Sequence, residues 1–347
     1  MNEICHKLKN IIQDLNLDLS GRVVLTEAAT GPYSVTPILA AIANAKVYAF
    51  GKSSQYGSMK EIYNEINGLK SFFKDLDISI IEELTSDIIS KADIITNSGH
   101  LRPLNRAILK YLKPGSVIPL MYESWELRDD DVDIEYCINN NIIISGTNER
   151  HRLIDVFSYL GEMAIKLIFE SGKCLHNNKF ILVANNDFGP YIANSIKKLC
   201  HSVGVIDLNR NKSKYTFDKN CVWISDFPKI EIPNDFKSSE AIIFTAFPFS
   251  KEWVGNNSVI KPEYLSTQID NPCLLRFAGH INEVDLTYHN IKYFPEKVKP
   301  GYMGILPSSI GFDPVIKLQA GGLKVGEELL SKNFESEFLQ ILNFHKI

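Results

Sequence analysis

A chain of 347 residues is long for one compact domain, and two domains are the better expectation. Its 45% hydrophobic and 22% charged content suits a soluble globular protein, and a net charge of −4 with no basic stripe among aromatics argues against nucleic-acid binding. No apolar run approaches the roughly 18 residues of a membrane-spanning helix, so no membrane contact is expected. The amphipathic start MNEICHKLKNIIQDL lacks a signal-peptide core. The six cysteines are scattered, without a C-x-x-C pair or zinc spacing, which suits reduced thiols in the cytoplasm.

The chain opens on a helical stripe, Ile4, Leu8, Ile11, Ile12 and Leu15. Val23 to Leu25 then reads as a strand, Thr26 to Gly31 as a loop, Ser34 to Ala43 as an alanine-rich helix and Val47 to Phe50 as a second strand. This βαβ unit, with its right-handed crossover, implies a parallel sheet. The polar loop Gly51 to Ser58 follows. Tyr56 in it is a candidate substrate contact, although a solvated turn with an N-cap at Ser58 explains it equally well. Further strands are expected at 78–81, 92–96, 117–121 and 142–145, with helices at 86–91, 105–112 and 132–139. Two strand-end loops between them are rich in polar groups, Asn97 to Pro103 and Tyr122 to Arg128. Ile154 to Glu170 predicts a long helix, apolar over a broad arc and stopped by Ser171-Gly172.

The second half turns on FILVANNDFGPYIANSIKKLCHSVGVIDLN, residues 180–209. An apolar strand, a short turn ending in Phe188-Gly189, a helical run and a second strand ending in Asp207 are the order of a dinucleotide-binding unit. The acid stands roughly 20 residues beyond the turn. Aligned on G-x-G-x-x-G, the turn reads Ala184-Asn185-Asn186-Asp187-Phe188-Gly189, and only the third glycine is kept. More strands are expected at 222–225, 241–245 (ending in Thr245), 274–278 and 291–294. Asp313-Pro314 begins a helix from Val315 whose Gly321-Gly322 pair implies close approach of another backbone or a ligand. A last helix is expected over Phe334 to Phe344.

The fold class expected is α/β: two doubly wound Rossmann-like domains with parallel sheets, joined by long interdomain helices. The first, a flavodoxin-like substrate domain, takes residues 1–152 and 315–347. The second, a nucleotide-binding domain, takes 153–314.

The run VDIEYCINNNIIISGTNERHRLIDVFSYLGEMAIKLI, with Phe188-Gly189 and Asp207, resembles D-isomer-specific 2-hydroxyacid dehydrogenases. The architecture also fits S-adenosylhomocysteine hydrolase-like relatives of that fold. The resemblance implies an inserted NAD domain around 180–207. It implies a strand-end arginine at Arg276 and an acid at Glu283. That family's histidine would fall within Gly301 to Gly311, which has none here; His280 and His289 are the nearest.

Candidate chemistry follows. His280 three residues before Glu283 suits a general acid–base, and Arg276 suits a carboxylate clamp, though His280 is equally a structural residue. His100 and Arg102 end another strand, with Ser98 beside them, and a capping loop is the plainer reading. Glu123 and Glu126 flank Trp125 and suit either a polar ligand or a salt-bridged edge. Asn148-Glu149-Arg150-His151 marks the expected hinge. Asn185, Asn186, Asp187, Phe188, Gly189, Asp207 and Thr245 are the candidate cofactor residues. Asp207 favours NAD, while Arg210 would suit NADP. The leading expectation is a homodimeric NAD(P)-dependent oxidoreductase acting on a small polar metabolite. The alternatives are a nucleotide-sugar type transferase with two Rossmann-like halves, and a ligand-binding protein without catalysis. No metal site is expected.

Overall fold

Short β-branched and aliphatic runs bounded by polar turns become strands buried on both faces, as parallel sheets require. The computed structural model describes residues 1–342. In it the chain divides into two compact units, Met1–Val156 with Gly311 onward, and Phe157–Ile310.

The first unit holds β1 (Val23–Glu27), β2 (Lys46–Phe50), β3 (Ile78–Ile81), β4 (Ile94–Ile95), β5 (Val117–Pro119) and β6 (Ile143–Thr147). Their order across the sheet is β6-β5-β4-β1-β2-β3, all parallel. Leu339–Gln340 adds an antiparallel strand outside β6. Alternate residues of β1 serve opposite faces, as the period of two demands. Val24 packs with Leu8, Ile38, Leu39 and Leu323, while Leu25 packs with Ile95, Leu109, Ile118 and Cys137.

The second unit holds β7 (Lys179–Ala184), β8 (Ser202–Asp207), β9 (Cys221–Asp226), β10 (Ala241–Thr245), β11 (Glu252–Val254), β12 (Cys273–Ala278), β13 (His280–Ile281) and β14 (Lys292–Phe294). Its main sheet runs β14-β12-β10-β7-β8-β9, again all parallel, and β11 pairs with β13 separately. Ile181, Ile206, Phe244, Leu274 and Leu286 form its core. Among the described residues, no helix is long and apolar enough to cross a membrane.

Three local expectations change. The helix expected from Ile154 begins at Leu160, because Asp155 takes a left-handed φ of 42° and the Val156 amide turns back to Glu149. The expected helix over Phe334 to Phe344 is instead a turn and the short strand Leu339–Gln340, and its last two residues lie outside the described residues. Strand pairing with Gly146 and Thr147 overrides the local helical pattern there. Gly321 and Gly322 make room for the side chains of Ile154 and Met121 rather than for a backbone.

Each sheet reverses its winding once, between β1 and β4 in the first unit and between β7 and β10 in the second. In open α/β sheets, ligands bind at the carboxyl ends of the strands at such reversal points.

Candidate functional site

At the first reversal point, β1 ends in Glu27 and β4 leads into Thr96-Asn97-Ser98-Gly99. Glu27 is 5% exposed, and its carboxyl lies against Gly99, where any Cβ would run into Oε2. Gly99 also has φ of 40°, so glycine is required twice over. The Ser98 side chain lies beside the Glu27 carboxyl and favours its charged form. Ser98 Oγ lies 2.8 Å from Thr96 Oγ1, which lies 2.8 Å from Thr26 Oγ1. A buried hydroxyl chain therefore runs up beside this carboxyl. Burial pushes Glu27 up to about 7, against the opposing pull of the Arg102 charge and the Ser98 hydroxyl.

Of the candidates from the loop after β4, Ser98 and Arg102 act on this carboxyl. The Arg102 guanidinium sits 5.9 Å from the Tyr122 ring centre. The Tyr122 hydroxyl donates to Asp131 Oδ2 at 2.6 Å and accepts from Asn97 Nδ2 at 2.6 Å, while Asn97 Oδ1 is buried without a partner. Burial, then the charge of Lys52, lowers the His100 pKa, so its imidazole is neutral at pH 7. Tyr56 is 76% exposed, but its carbonyl accepts from Thr30 at 2.9 Å, which ties the β2 loop to the β1 loop.

A second acidic group stands at the ends of β5 and β6. Glu123 is fully buried. Its Oε2 accepts from Arg150 at 2.9 Å and Trp125 at 2.5 Å, and its Oε1 accepts from Gln340 at 2.9 Å. Glu126 lies close by, its carboxyl pushed up to about 8 by burial and then by the Glu123 charge. Glu149 joins them and is raised well above the carboxylate range by burial, then by Glu126 and Glu123. Glu123 is spent on holding strand ends together, whereas the Glu126 and Glu149 carboxyls are both shifted upward toward their neutral forms.

In the second unit, Asn185 and Asn186 follow β7, and Thr245 ends β10. Asn185 Nδ2 donates to the Phe247 carbonyl at 2.9 Å, and its Oδ1 accepts from the Phe247 amide at 2.7 Å. Asn186 Nδ2 donates to Thr245 Oγ1 at 3.1 Å, and its Oδ1 accepts from the Phe188 amide, which opens the following helix, at 3.1 Å. Asp187 at that helix start pairs with Lys214 at 2.6 Å. Asp207 is wholly buried. Tyr215 donates its hydroxyl to Oδ2 at 2.5 Å, the Leu208 amide donates to Oδ1 at 2.6 Å, and Asn211 donates at 3.2 Å. Burial raises the Asp207 pKa, and these donors oppose it. The Tyr215 hydroxyl also stands where a Cβ on Gly189 would fall.

Arg276 and Glu283 do meet: Nη2 donates to Glu283 Oε1 at 2.9 Å and to the Pro295 carbonyl at 2.8 Å. Arg276 is fully buried, and its Nε and Nη1 have no partner. The carboxylate expected beside His280 is thus engaged by Arg276, and His280 Nδ1 is buried without a partner. Among the described residues, no three His, Cys, Asp or Glu side chains gather as a metal site.

Sequence reasoning missed Glu27, Asn97 and Tyr122 and left Glu149 in a hinge. The available signal was position: each stands at or just beyond the carboxyl end of a buried strand.

No protein-family model matches the chain, and no curated protein is similar to it in sequence. Solved structures are similar in fold. A dipicolinate synthase from Bacillus halodurans matches with a TM-score of 0.54 at 11% identity, over 92% of this chain and 100% of that one. A dipicolinate synthase from Bacillus subtilis gives 0.54 at 12%, over 92% and 98%. An NAD-dependent formate dehydrogenase from Staphylococcus aureus, in complex with NAD, gives 0.50 at 12%, over 92% and 98%. The two-domain Rossmann fold implied by the dehydrogenase resemblance is therefore the fold of this chain, and at such identity the likeness concerns fold alone.

Proposed function

We propose that this protein is an enzyme that binds a small polar metabolite at the carboxyl edge of the first unit's sheet and exchanges a proton with it through Glu27. The observation that carries this reading is the Glu27 carboxyl at the reversal point, with burial holding its pKa at about 7. A general acid–base works best when its pKa lies near the operating pH, and burying a carboxyl is one way to bring it there. Ser98, with the threonines behind it, places a chain of hydroxyls beside this carboxyl. Arg102 supplies positive charge for an anionic part of the substrate, and the neutral His100 offers a hydrogen bond without a second charge.

A second reading is NAD(P)-dependent oxidation. It is supported by the fold shared with an NAD-dependent dehydrogenase and by the strand–helix–strand unit with Gly189 and Asp207. It requires Asn186 to leave the helix start and Tyr215 to leave Asp207, because the side chains as they stand do not fit a dinucleotide.

Mass spectrometry of ligands released from the denatured purified protein separates these readings. A small polar metabolite alone supports the first. NAD or NADP supports the second, and a sugar nucleotide would point to a transferase instead. Glu27→Gln should retain that metabolite while losing turnover, and full activity in the variant would remove Glu27 from the chemistry.

A further inference from the structure

We infer that the second unit's dinucleotide seat is permanently filled by its own side chains, so that neither NAD nor NADP binds at Asn185 to Gly189 and Asp207. This inference stands whether or not Glu27 is the proton-exchanging group.

In a dinucleotide-binding unit, three features receive the ligand. Bare backbone at the turn lets the pyrophosphate approach, the free amides of the helix start bind it, and a strand-end carboxylate takes the ribose hydroxyl. Here each is occupied. Asn186 puts a side chain where the second glycine would leave backbone bare, and its Oδ1 takes the Phe188 amide at 3.1 Å. Asp187 adds a carboxylate where a phosphate would come, and Lys214 is committed to it at 2.6 Å. The Tyr215 hydroxyl, 2.5 Å from Asp207 Oδ2, makes the bond a ribose hydroxyl would make. Asn211 and the Leu208 amide take the remaining acceptor sites.

Two observations argue that this is a built plug rather than a loose side chain. Tyr215 is 6% exposed and stacks on Phe217 at 5.7 Å, with Trp223 against its edge at 5.9 Å. Moving it would take the buried Tyr215 ring out of its contacts with Phe217 and Trp223 and strip a buried carboxylate of its shortest hydrogen bond. The crevice between β7 and β10 is also stitched across, by the Asn185 pair with Phe247 and by the Asn186 bond to Thr245.

The test is titration of the full chain with NADH and NADPH, read by nicotinamide fluorescence and by calorimetry, in wild type, Asp207→Ala and Tyr215→Phe. The expected wild-type result is no saturable binding tighter than about 1 mM, with Tyr215→Phe lowering the melting temperature by several degrees. Saturable wild-type binding that Asp207→Ala weakens tenfold or more would overturn the inference. So would a Tyr215→Phe protein that melts like wild type and binds NADH. Binding that Asp207→Ala leaves unchanged would locate the dinucleotide elsewhere and leave the seat closed, as inferred.

Discussion

The two reversal points use the same topology in opposite ways. In the first unit, the strand ends carry a carboxyl under desolvation, an arginine and an asparagine with a free buried acceptor. In the second, the corresponding asparagines, threonine and aspartate are bonded to one another or to neighbouring groups, and Gly189 leaves room for the Tyr215 hydroxyl. Unsatisfied and perturbed groups persist in a fold where something other than stability holds them, while satisfied networks rigidify. On the reading proposed above, chemistry belongs with the first crevice and packing with the second, although the sequence advertises the second far more loudly.

The largest expected effect tests the first half of that contrast. Glu27→Gln keeps the shape and the Ser98 contact but cannot cycle a proton. Loss of a general acid–base costs about 10²–10⁴ in turnover. Steady-state kinetics on the metabolite found by mass spectrometry should show kcat falling by that factor with KM little changed. An equal fall after Asp207→Ala instead would reverse the assignment of the crevices.

Next comes pH. In the unfolded chain Glu27 titrates near 4.5, and in the folded chain near 7. Below 4.5 the carboxyl is neutral in both states. Between these values the unfolded chain releases a proton that the folded chain keeps, so stability falls as pH rises and this contribution is gone above about 7. Glu126, at about 8, and Glu149 act in the same direction. Glu27→Gln removes its own share, worth on the order of 3 kcal/mol at most. Urea denaturation at pH 5 and pH 8 should find the variant gaining on wild type as pH rises. A constant difference would mean that Glu27 titrates as an ordinary carboxyl.

A smaller effect is expected at Arg276. Glu283→Ala leaves a buried guanidinium with only the Pro295 carbonyl. Removing one partner of a fully buried pair costs roughly 3–5 kcal/mol. The Glu283 side chain is 37% exposed, so solvent screening reduces this to about 1–3 kcal/mol. Melting curves of the variant should show the loss, and an unchanged midpoint would free Arg276 for a ligand.

Much of the architecture was legible. Alternating apolar runs and polar turns gave the two parallel arrays, and Asp207 and Gly189 marked a real strand–helix–strand unit. The site was less legible, because what distinguishes the crevices is which side chains find partners. Asn186 reads as a degraded motif but bonds the Phe188 amide and Thr245, and Tyr215 lies eight residues past the acid it fills. Glu27 looked like the first turn of a loop, since nothing local reveals that Gly99, far along the chain, allows its carboxyl to be buried. The helix expected near the C-terminus failed for the same reason, losing to a distant strand partner.

The finest test crosses the two crevices with one substitution each. Asn185→Ala removes two hydrogen bonds to Phe247, 2.9 and 2.7 Å long, and leaves a backbone amide and carbonyl short of partners. At about 0.5–1.5 kcal/mol per bond, and about 2–4 °C of melting temperature per kcal/mol for a domain of this size, the midpoint should drop by a few degrees. Metabolite affinity should not change, because Asn185 spends its whole side chain on the fold. Arg102→Ala should do the opposite. Arg102 is partly exposed, its guanidinium approaches the Tyr122 ring centre at 5.9 Å, and such a cation–π contact is worth about 0.5–1 kcal/mol. The melting midpoint should barely move, while affinity for an anionic metabolite falls about tenfold or more, as the loss of a charge-assisted bond of roughly 1.5–3 kcal/mol requires. If both variants shift the midpoint and spare affinity, the first crevice is as structural as the second and Glu27 is a buried acid without a substrate. If Asn185→Ala weakens ligand binding and leaves the midpoint alone, the second crevice is open in solution and the contrast fails.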